Sequence, residues 1–206
     1  TSAKIRKHIE WSEDIKRIIW TEIVSEKIRN QKSFLEDLGK EESNLLEGYL
    51  REIQPGDSTN REGHAAKVYF NAVFGMEFSR TSDIPINAAL NYGYGIILST
   101  VNREIVANGY LTQIGLFHDN MFNTFNLGSD LMEPFRVLVD RKVYQLRPNK
   151  FEHDEKMEIL NILNEEIVID GKRNYVINAL KIYCKSVFDA INDRDISQIK
   201  FYKYEL

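Results

Sequence analysis

Residues 15–28 of the chain, IKRIIWTEIVSEKI, carry apolar side chains three to five positions apart. This spacing places them on one face of an α-helix, and no proline or glycine precedes Gly39 to interrupt it. Residues 176–191, VINALKIYCKSVFDAI, repeat the pattern near the other end of the chain. The sequence therefore predicts a mainly α-helical fold.

The segments between these two helices predict further helices, separated by turn residues. They span residues 45–53, 65–74, 85–107, 130–144 and 152–164. Alternating residues before Gly171 predict at most a short hairpin near 166–176. Residues 193–206 are expected to form a weakly ordered tail. Because no repeat or linker divides the chain, we predict a single helical domain over residues 1–206.

The composition is that of an ordinary globular protein, with 43% hydrophobic and 28% charged residues. The single Cys184 cannot form an intrachain disulfide, which favours a reducing, cytoplasmic location. No stretch approaches the ~18 apolar residues of a membrane span, so we expect no membrane association. Because the chain begins at Thr1 within a charged helical pattern, we expect natural sequence to precede it.

The formal net charge of −4 is not typical of a nucleic-acid-binding protein, but the charge is unevenly distributed. Residues 1–34 contain eight Lys and Arg against five acids, whereas residues 35–59 contain two against seven. Any DNA contact must therefore use a local basic surface. The candidates are Lys4, Arg6, Lys7, Lys16 and Arg17. A solvated helix face explains the same residues equally well, so charge alone identifies no partner.

Three acids and one histidine are candidates for chemistry, although each also has a structural explanation. Glu62 follows Thr59 by three residues, as in a helix capping box. Asp130 and Glu133 suit the start of a helix, and a loop histidine such as His118 is usually structural. Taken together, however, an imidazole and several carboxylates are suitable ligands for Mg²⁺ or Mn²⁺.

Other reaction classes lack their characteristic residues. The sequence contains no phosphate-binding G-x-x-x-x-G-K-[ST] loop, no G-x-G-x-x-G dinucleotide turn and no G-x-S-x-G nucleophile elbow. None of the four histidines has a glutamate three residues earlier, which argues against a di-iron bundle. One cysteine and four scattered histidines argue against a structural zinc site.

Four segments of the sequence resemble, in order, motifs of the CRISPR-associated endonuclease/integrase family of spacer-acquisition modules. They are residues 62–70 (EGHAAKVYF), 86–94 (INAALNYGY), 115–118 (GLFH) and 130–136 (DLMEPFR). Residues 11–13 (WSE) and 28–31 (IRNQ) are similar to the type II branch of that family. The resemblance covers most of the chain and becomes weak after about residue 150.

The resemblance implies roles for particular residues. Glu62, His118 and Glu133 occupy the positions of the family's catalytic metal ligands, so the implied cofactor is one Mg²⁺ or Mn²⁺ ion. Asp130 matches an acid that supports the site in some members. Arg136 and Asn91 also fall within the motifs, and we expect them to lie close behind the ligands.

The implied activity is metal-dependent insertion of new spacer DNA into a CRISPR array, in which a 3′-hydroxyl attacks the repeat DNA. The implied partners are double-stranded DNA, a second copy of the full-length protein and the small second Cas protein. The resemblance also implies an N-terminal β-rich domain in the family, which we expect to lie outside residues 1–206. Two alternatives stay open: a non-catalytic helical module that binds DNA or protein, and a plain helical interaction domain.

Overall fold

The computed structural model describes residues 2–204, which form nine α-helices and three short strands. The helices are α1 (Ser2–Ile9), α2 (Glu13–Asp37), α3 (Ser43–Glu52), α4 (Arg61–Phe74), α5 (Pro85–Ala107), α6 (Asn126–Leu131), α7 (Arg136–Leu146), α8 (His153–Leu160) and α9 (Val176–Asp193). The strands are β1 (Glu166–Ile169), β2 (Lys172–Tyr175) and β3 (Tyr202–Lys203). The mainly helical fold that the apolar spacing predicts is confirmed.

Two predicted helices are interrupted in the structure. The long first helix breaks between α1 and α2, where the Ser12 hydroxyl accepts a hydrogen bond from the Ile15 N–H and caps α2. The helix predicted over residues 130–144 is replaced by α6, a 3₁₀ turn at Glu133–Phe135, and α7. Pro134 accounts for this second break because it lacks an N–H and its ring obstructs the preceding turn.

The C-terminal region contains the predicted hairpin and one strand more. β1 and β2 pair antiparallel around Asp170 and Gly171, which both have positive φ, as a tight two-residue hairpin turn needs. β3 pairs with the other edge of β1. The weakly ordered tail predicted for residues 193–206 is therefore wrong for its described part, up to residue 204. Tyr202 is buried there, and its hydroxyl donates to the Pro134 carbonyl over 3.0 Å.

Helix α2 runs through the middle of the molecule and packs against α3, α4, α7 and α9, while α5 packs against α6 to α9. Gly93 allows α5 to approach α7, since a Cβ at that position would lie 2.4 Å from a Val139 methyl group. Among residues 2–204, no helix combines the length and the apolar character needed to cross a membrane.

Candidate active site

Glu62 lies in the first turn of α4, at the end that faces α2. The capping-box explanation of this residue is wrong, because Asp57 caps the helix instead. The two carboxylate oxygens of Asp57 accept from the N–H groups of Arg61 (2.7 Å) and Glu62 (3.0 Å). The Glu62 side chain is therefore free to point towards Lys27, with which it forms an ion pair.

Glu133 is 97% buried, at the 3₁₀ turn that separates α6 from α7. The turn is held from two sides through the carbonyl of Pro134, which accepts from the Asn30 amide and the Tyr202 hydroxyl at 3.0 Å each. Asn30 belongs to α2 and Tyr202 to β3. Elements from three parts of the chain thus fix the position of the Glu133 carboxylate.

Lys27, on α2, joins the two glutamates. Its ammonium group contacts Oε1 of Glu62 and Oε2 of Glu133, although the three residues are far apart in sequence. Burial alone would lower the pKa of Lys27, but the charges of Glu133 and Glu62 outweigh it and raise the pKa. The amine therefore stays charged between the two carboxylates.

Arg136 adds a second cation to Glu133. Its Nε donates to Oε1 of Glu133 over 2.8 Å, and its guanidinium lies 4.5 Å from the centre of the Tyr94 ring. Burial by itself raises the pKa of Glu133, but Lys27 and Arg136 more than compensate and lower it to about 2. The Glu133 carboxylate is consequently ionised throughout the physiological pH range.

His118 lies in the loop before α6, and Asp130 holds it there. Asp130 does not cap a helix, since its buried carboxylate accepts from the backbone N–H groups of Leu116 (2.6 Å), Phe117 (3.1 Å) and His118 (3.2 Å). Oδ1 of Asp130 also lies 2.5 Å from Nδ1 of His118. A Cβ on Gly115 would come within 2.3 Å of the His118 carbonyl oxygen, so this loop requires glycine there.

The imidazole of His118 is fixed on one side and partly exposed on the other. Its Trp20 neighbour meets it edge-on, with ring centres 5.8 Å apart. The hydrogen bond that His118 donates to the Asp130 carboxylate raises the pKa of His118 despite partial burial, and the charges of Asp130, Glu133 and Glu62 raise it further. Nδ1 of His118 is thus engaged by Asp130, while 40% of the side-chain surface stays exposed.

Across residues 2–204, no three His, Cys, Asp or Glu side chains already surround one point as metal ligands would. The donor chemistry nevertheless fits a divalent cation. Glu62 and Glu133 already share one cation, the ammonium of Lys27, and buried Oε2 of Glu133 has no well-directed hydrogen bond. A carboxylate on the second ring nitrogen, like Asp130 on His118, is the usual arrangement behind a metal-binding histidine. Glu62, Glu133 and His118 could thus hold Mg²⁺ or Mn²⁺ once Lys27 moves aside.

The other predicted residues lie further away. Asn91 accepts from Arg80 over 2.6 Å and has no described contact with the glutamates. Of the five basic candidates, Lys4, Arg6 and Lys7 are exposed on α1, Lys16 pairs with Glu13, and Arg17 donates to the Pro55 carbonyl. Within residues 2–204, none of the five is paired with Glu62 or Glu133, whose described cationic partners are Lys27 and Arg136.

Sequence reasoning missed Lys27 and Asp57, which position Glu62, and Arg80, which lies next to Tyr94. Lys27 sits within an ordinary amphipathic helix, and nothing local distinguishes it from a surface lysine. Asp57 follows a Pro-Gly turn among four possible capping residues, so its position gave a weak indication of its role.

The family model described as CRISPR associated protein Cas1 matches residues 2–166. The chain belongs to the Cas1 family. A similar curated relative, the CRISPR-associated endonuclease Cas1 of Neisseria meningitidis serogroup C, is 32% identical over 202 residues, which cover 95% of this chain and 66% of that protein. The CRISPR-associated endonuclease Cas1 1 of Pyrobaculum aerophilum is 38% identical over 117 residues, 51% of this chain and 37% of that protein.

The chain thus spans two thirds or less of these relatives' length. Solved structures share its fold at low sequence identity. A casposase bound to integration product superimposes with a TM-score of 0.72 at 20% identity, covering 89% of this chain and 66% of that one. A chain of a partial Cas6-RT-Cas1–Cas2 complex gives a TM-score of 0.78 at 17% identity, covering 97% of this chain and 72% of that one.

Proposed function

We propose that this chain is the catalytic portion of a divalent-metal-dependent DNA endonuclease/integrase that inserts spacer DNA into a CRISPR array. The observation that carries the proposal is the convergence of Glu62 and Glu133 on one cation, together with a partly exposed His118 whose Nδ1 is held by Asp130. Membership of the Cas1 family and the names of the curated relatives, which are endonucleases, support it. A shared fold with a casposase is consistent with it.

The proposed reaction is a transesterification. The 3′-hydroxyl oxygen of the incoming DNA attacks a phosphorus atom of the repeat and forms a new P–O bond. The bond from that phosphorus to the 3′-oxygen of the repeat breaks, and this oxygen ends as a hydroxyl after taking up a proton. With water as the attacking group, the same exchange hydrolyses the strand.

In this reaction the protein positions groups and offsets charge, which is the main requirement of phosphoryl transfer. Glu62, Glu133 and His118 would hold the ion, which supplies positive charge at the phosphate and at the leaving oxygen. Asp130 keeps Nδ1 of His118 engaged, so Nε2 is the nitrogen that faces the ligand. Arg136 keeps the Glu133 carboxylate ionised and oriented.

The proposed partners are those that the family resemblance implies. Double-stranded DNA is the substrate, both as the incoming fragment and as the CRISPR repeat. A second copy of the full-length protein and the small second Cas protein complete the complex. The similarity to Cas1 within complexes named Cas6-RT-Cas1–Cas2 supports the latter partner.

Strand transfer of a labelled fragment into repeat DNA, with Mn²⁺, tests the proposal on this chain and on any longer protein that contains it. Glu62→Ala, His118→Ala and Glu133→Gln should each reduce transfer by at least ~100-fold while the fold persists. Glu165→Ala is a matched control, because Glu165 also pairs with a lysine, Lys142, over 3.1 Å. This control should transfer DNA like the unaltered protein.

Calorimetric titration with Mn²⁺ separates catalysis from simple DNA binding. The unaltered chain should bind the ion and His118→Ala should not. Near-normal strand transfer by folded Glu62→Ala would refute the site assignment. If the full-length protein bound DNA but neither transferred strands nor bound Mn²⁺, that result would instead favour the non-catalytic binding module.

A further inference from the structure

A fixed arginine lies beside the proposed active site, outside the set of ligands. Arg80 follows α4 in the chain and lies along one stripe of α5. Its Nη1 donates to Oδ1 of Asn87 over 2.5 Å and its Nη2 to Oδ1 of Asn91 over 2.6 Å. Asn87, Asn91 and Tyr94 are spaced four and three residues apart, so one face of α5 carries all three.

Aromatic rings complete the environment of Arg80. Its guanidinium lies 5.4 Å from the centre of the Tyr94 ring and 5.6 Å from that of Phe70. The Tyr94 ring is itself immobilised, because its hydroxyl donates to the buried carboxylate of Asp140. Arg136 stacks on the same Tyr94 ring, which connects Arg80 to the Glu133 cluster through one side chain.

The charge of Arg80 has no anionic partner in the part of the chain from residue 2 to residue 204. Both hydrogen-bond acceptors are neutral amides. A guanidinium has five N–H donors, and these two bonds use only two of them. Arg80 is therefore held in place while retaining its full charge and three further N–H donors, which suits bidentate hydrogen bonding to two oxygens of an anion such as phosphate.

A second cation lies in the same place. Lys67, exposed on α4, and Arg80 both line a surface cleft of about 430 Å³, together with Phe70, Asn71, Phe78 and Ser79. Glu62 and Phe70 are eight residues apart on α4, which corresponds to about 12 Å along a helix. A DNA strand carries one phosphate about every 3.4 Å of duplex axis, so it spans this interval within a few nucleotides.

From this arrangement we propose that Arg80 and Lys67 form a phosphate-binding subsite for the DNA strand that leads into the active site. The proposal rests on the proposed function, which supplies the DNA. Arg80 acts here as a positioning residue: it fixes the backbone a few nucleotides from the reacting phosphate. It does not touch the reacting atoms.

The test measures DNA affinity against salt concentration in metal-free buffer, with a fluorescent duplex that ends in a single-stranded 3′ overhang. Arg80→Ala and Lys67→Ala should each weaken binding on the order of tenfold and make the salt dependence shallower by about one counterion. Arg80→Lys should keep the salt dependence of the unaltered protein but bind DNA more weakly, because an ammonium group cannot make the bidentate hydrogen bonds of a guanidinium group. Arg173→Ala, at an exposed arginine paired with Glu166 on the hairpin, is the control and should bind normally.

The outcomes are separable from those of the proposed function. Lys67 is on the surface, so Lys67→Ala keeps the test decisive even if Arg80→Ala does not fold. Normal affinity and salt dependence in Lys67→Ala and in folded Arg80 variants would overturn the subsite. If Glu62→Ala still abolished strand transfer in that case, the proposed function would stand. Loss of affinity in both subsite variants, with strand transfer intact in Glu62→Ala, would support the subsite and reject the catalytic assignment.

Discussion

The centre of the molecule and its C-terminal helix bury side chains of opposite character. Lys27 and Glu133 are buried in one ion-paired group, to which the partly buried Glu62 and Arg136 also belong. Along α9, the buried face is mostly apolar, and burial raises the pKa of the Cys184 thiol, with a further increase from the charge of Glu104. Burying charges costs desolvation that pairing only partly offsets, whereas apolar burial is directly favourable. Helix α9 therefore contributes mainly to the stability of the fold. The charged group around Lys27 contributes less to stability, which is consistent with its proposed role in binding a metal ion.

Of the substitutions that test this comparison, Lys27→Met should cause the largest loss of stability. We expect the free energy of unfolding to fall by about 3–5 kcal/mol, because the two glutamates lose their shared cation inside the protein. Urea denaturation followed by circular dichroism measures the loss. Lys142→Met is the matched control, since Lys142 also meets two glutamates, at 3.1 and 3.6 Å, but nearer the surface. The control should lose about 1 kcal/mol or less, and equal losses would contradict the contrast.

The corresponding substitution in the apolar region, helix α9, is Leu180→Ala. Leu180 is fully buried on α9, so the shortened side chain should leave a cavity that costs about 2–5 kcal/mol. Binding of Mn²⁺ to the folded fraction should stay unchanged. Denaturation and calorimetry on the same preparation check both statements, with exposed Lys181→Ala as the control on the same helix. Weakened Mn²⁺ binding in Leu180→Ala would show that the two regions are coupled.

The contrast also explains how far the sequence predicted the structure. Helices such as α5 and α9 follow from apolar periodicity, because burial of one face is a local property of the sequence. The break at Trp11-Ser12 was not predicted, since neither residue is a strong helix breaker. The strand at Tyr202 was missed as well, because its pairing with β1 depends on contacts distant in sequence.

For the site, residue types and motifs identified Glu62, His118 and Glu133 as candidates, and the resemblance gave their roles. The environment that sets their charge was not predictable. Lys27 and Arg80 act on partners brought together only by tertiary structure, so no local spacing distinguishes them from solvated cations.

His8 is a titratable residue within the apolar region, where it packs near α9 through Trp11 and offers a further test of the comparison. His8 packs on Trp11, accepts from the Leu111 N–H at Nδ1 and contacts the Ile114 carbonyl through Nε2. Burial lowers the pKa of His8 from 6.5 to about 4. The unfolded chain therefore binds a proton before the folded chain does as the pH falls.

It follows that the contribution of neutral His8 to stability is complete above pH 6.5 and declines as the pH falls towards 4. The expected loss is up to about 3 kcal/mol. Unfolding free energies measured from pH 7 to pH 4 on the unaltered chain and on His8→Phe give the difference that isolates this group. An identical pH dependence in the two proteins would contradict the shift.

The smallest expected effect lies where the two regions meet. Tyr202→Phe removes the hydrogen bond to the Pro134 carbonyl but keeps the buried ring, so we expect a loss of about 0.5–1.5 kcal/mol. Asn30 still donates to the same carbonyl, which favours the lower end of this range. Thermal denaturation measures the change against Tyr175→Phe, whose ring is half exposed on β2. A loss equal to that of Lys27→Met would contradict this ranking.

The position of β3 has a practical consequence for anyone who produces the protein. An epitope or fluorophore placed in β3 would lie next to Tyr202, whose hydroxyl helps to hold the turn that carries Glu133. Strain introduced there would reach the Glu133 turn through a single side chain. A label in α1 would be coupled to a different region, since the buried side chain of this helix, His8, contacts the Ile114 carbonyl.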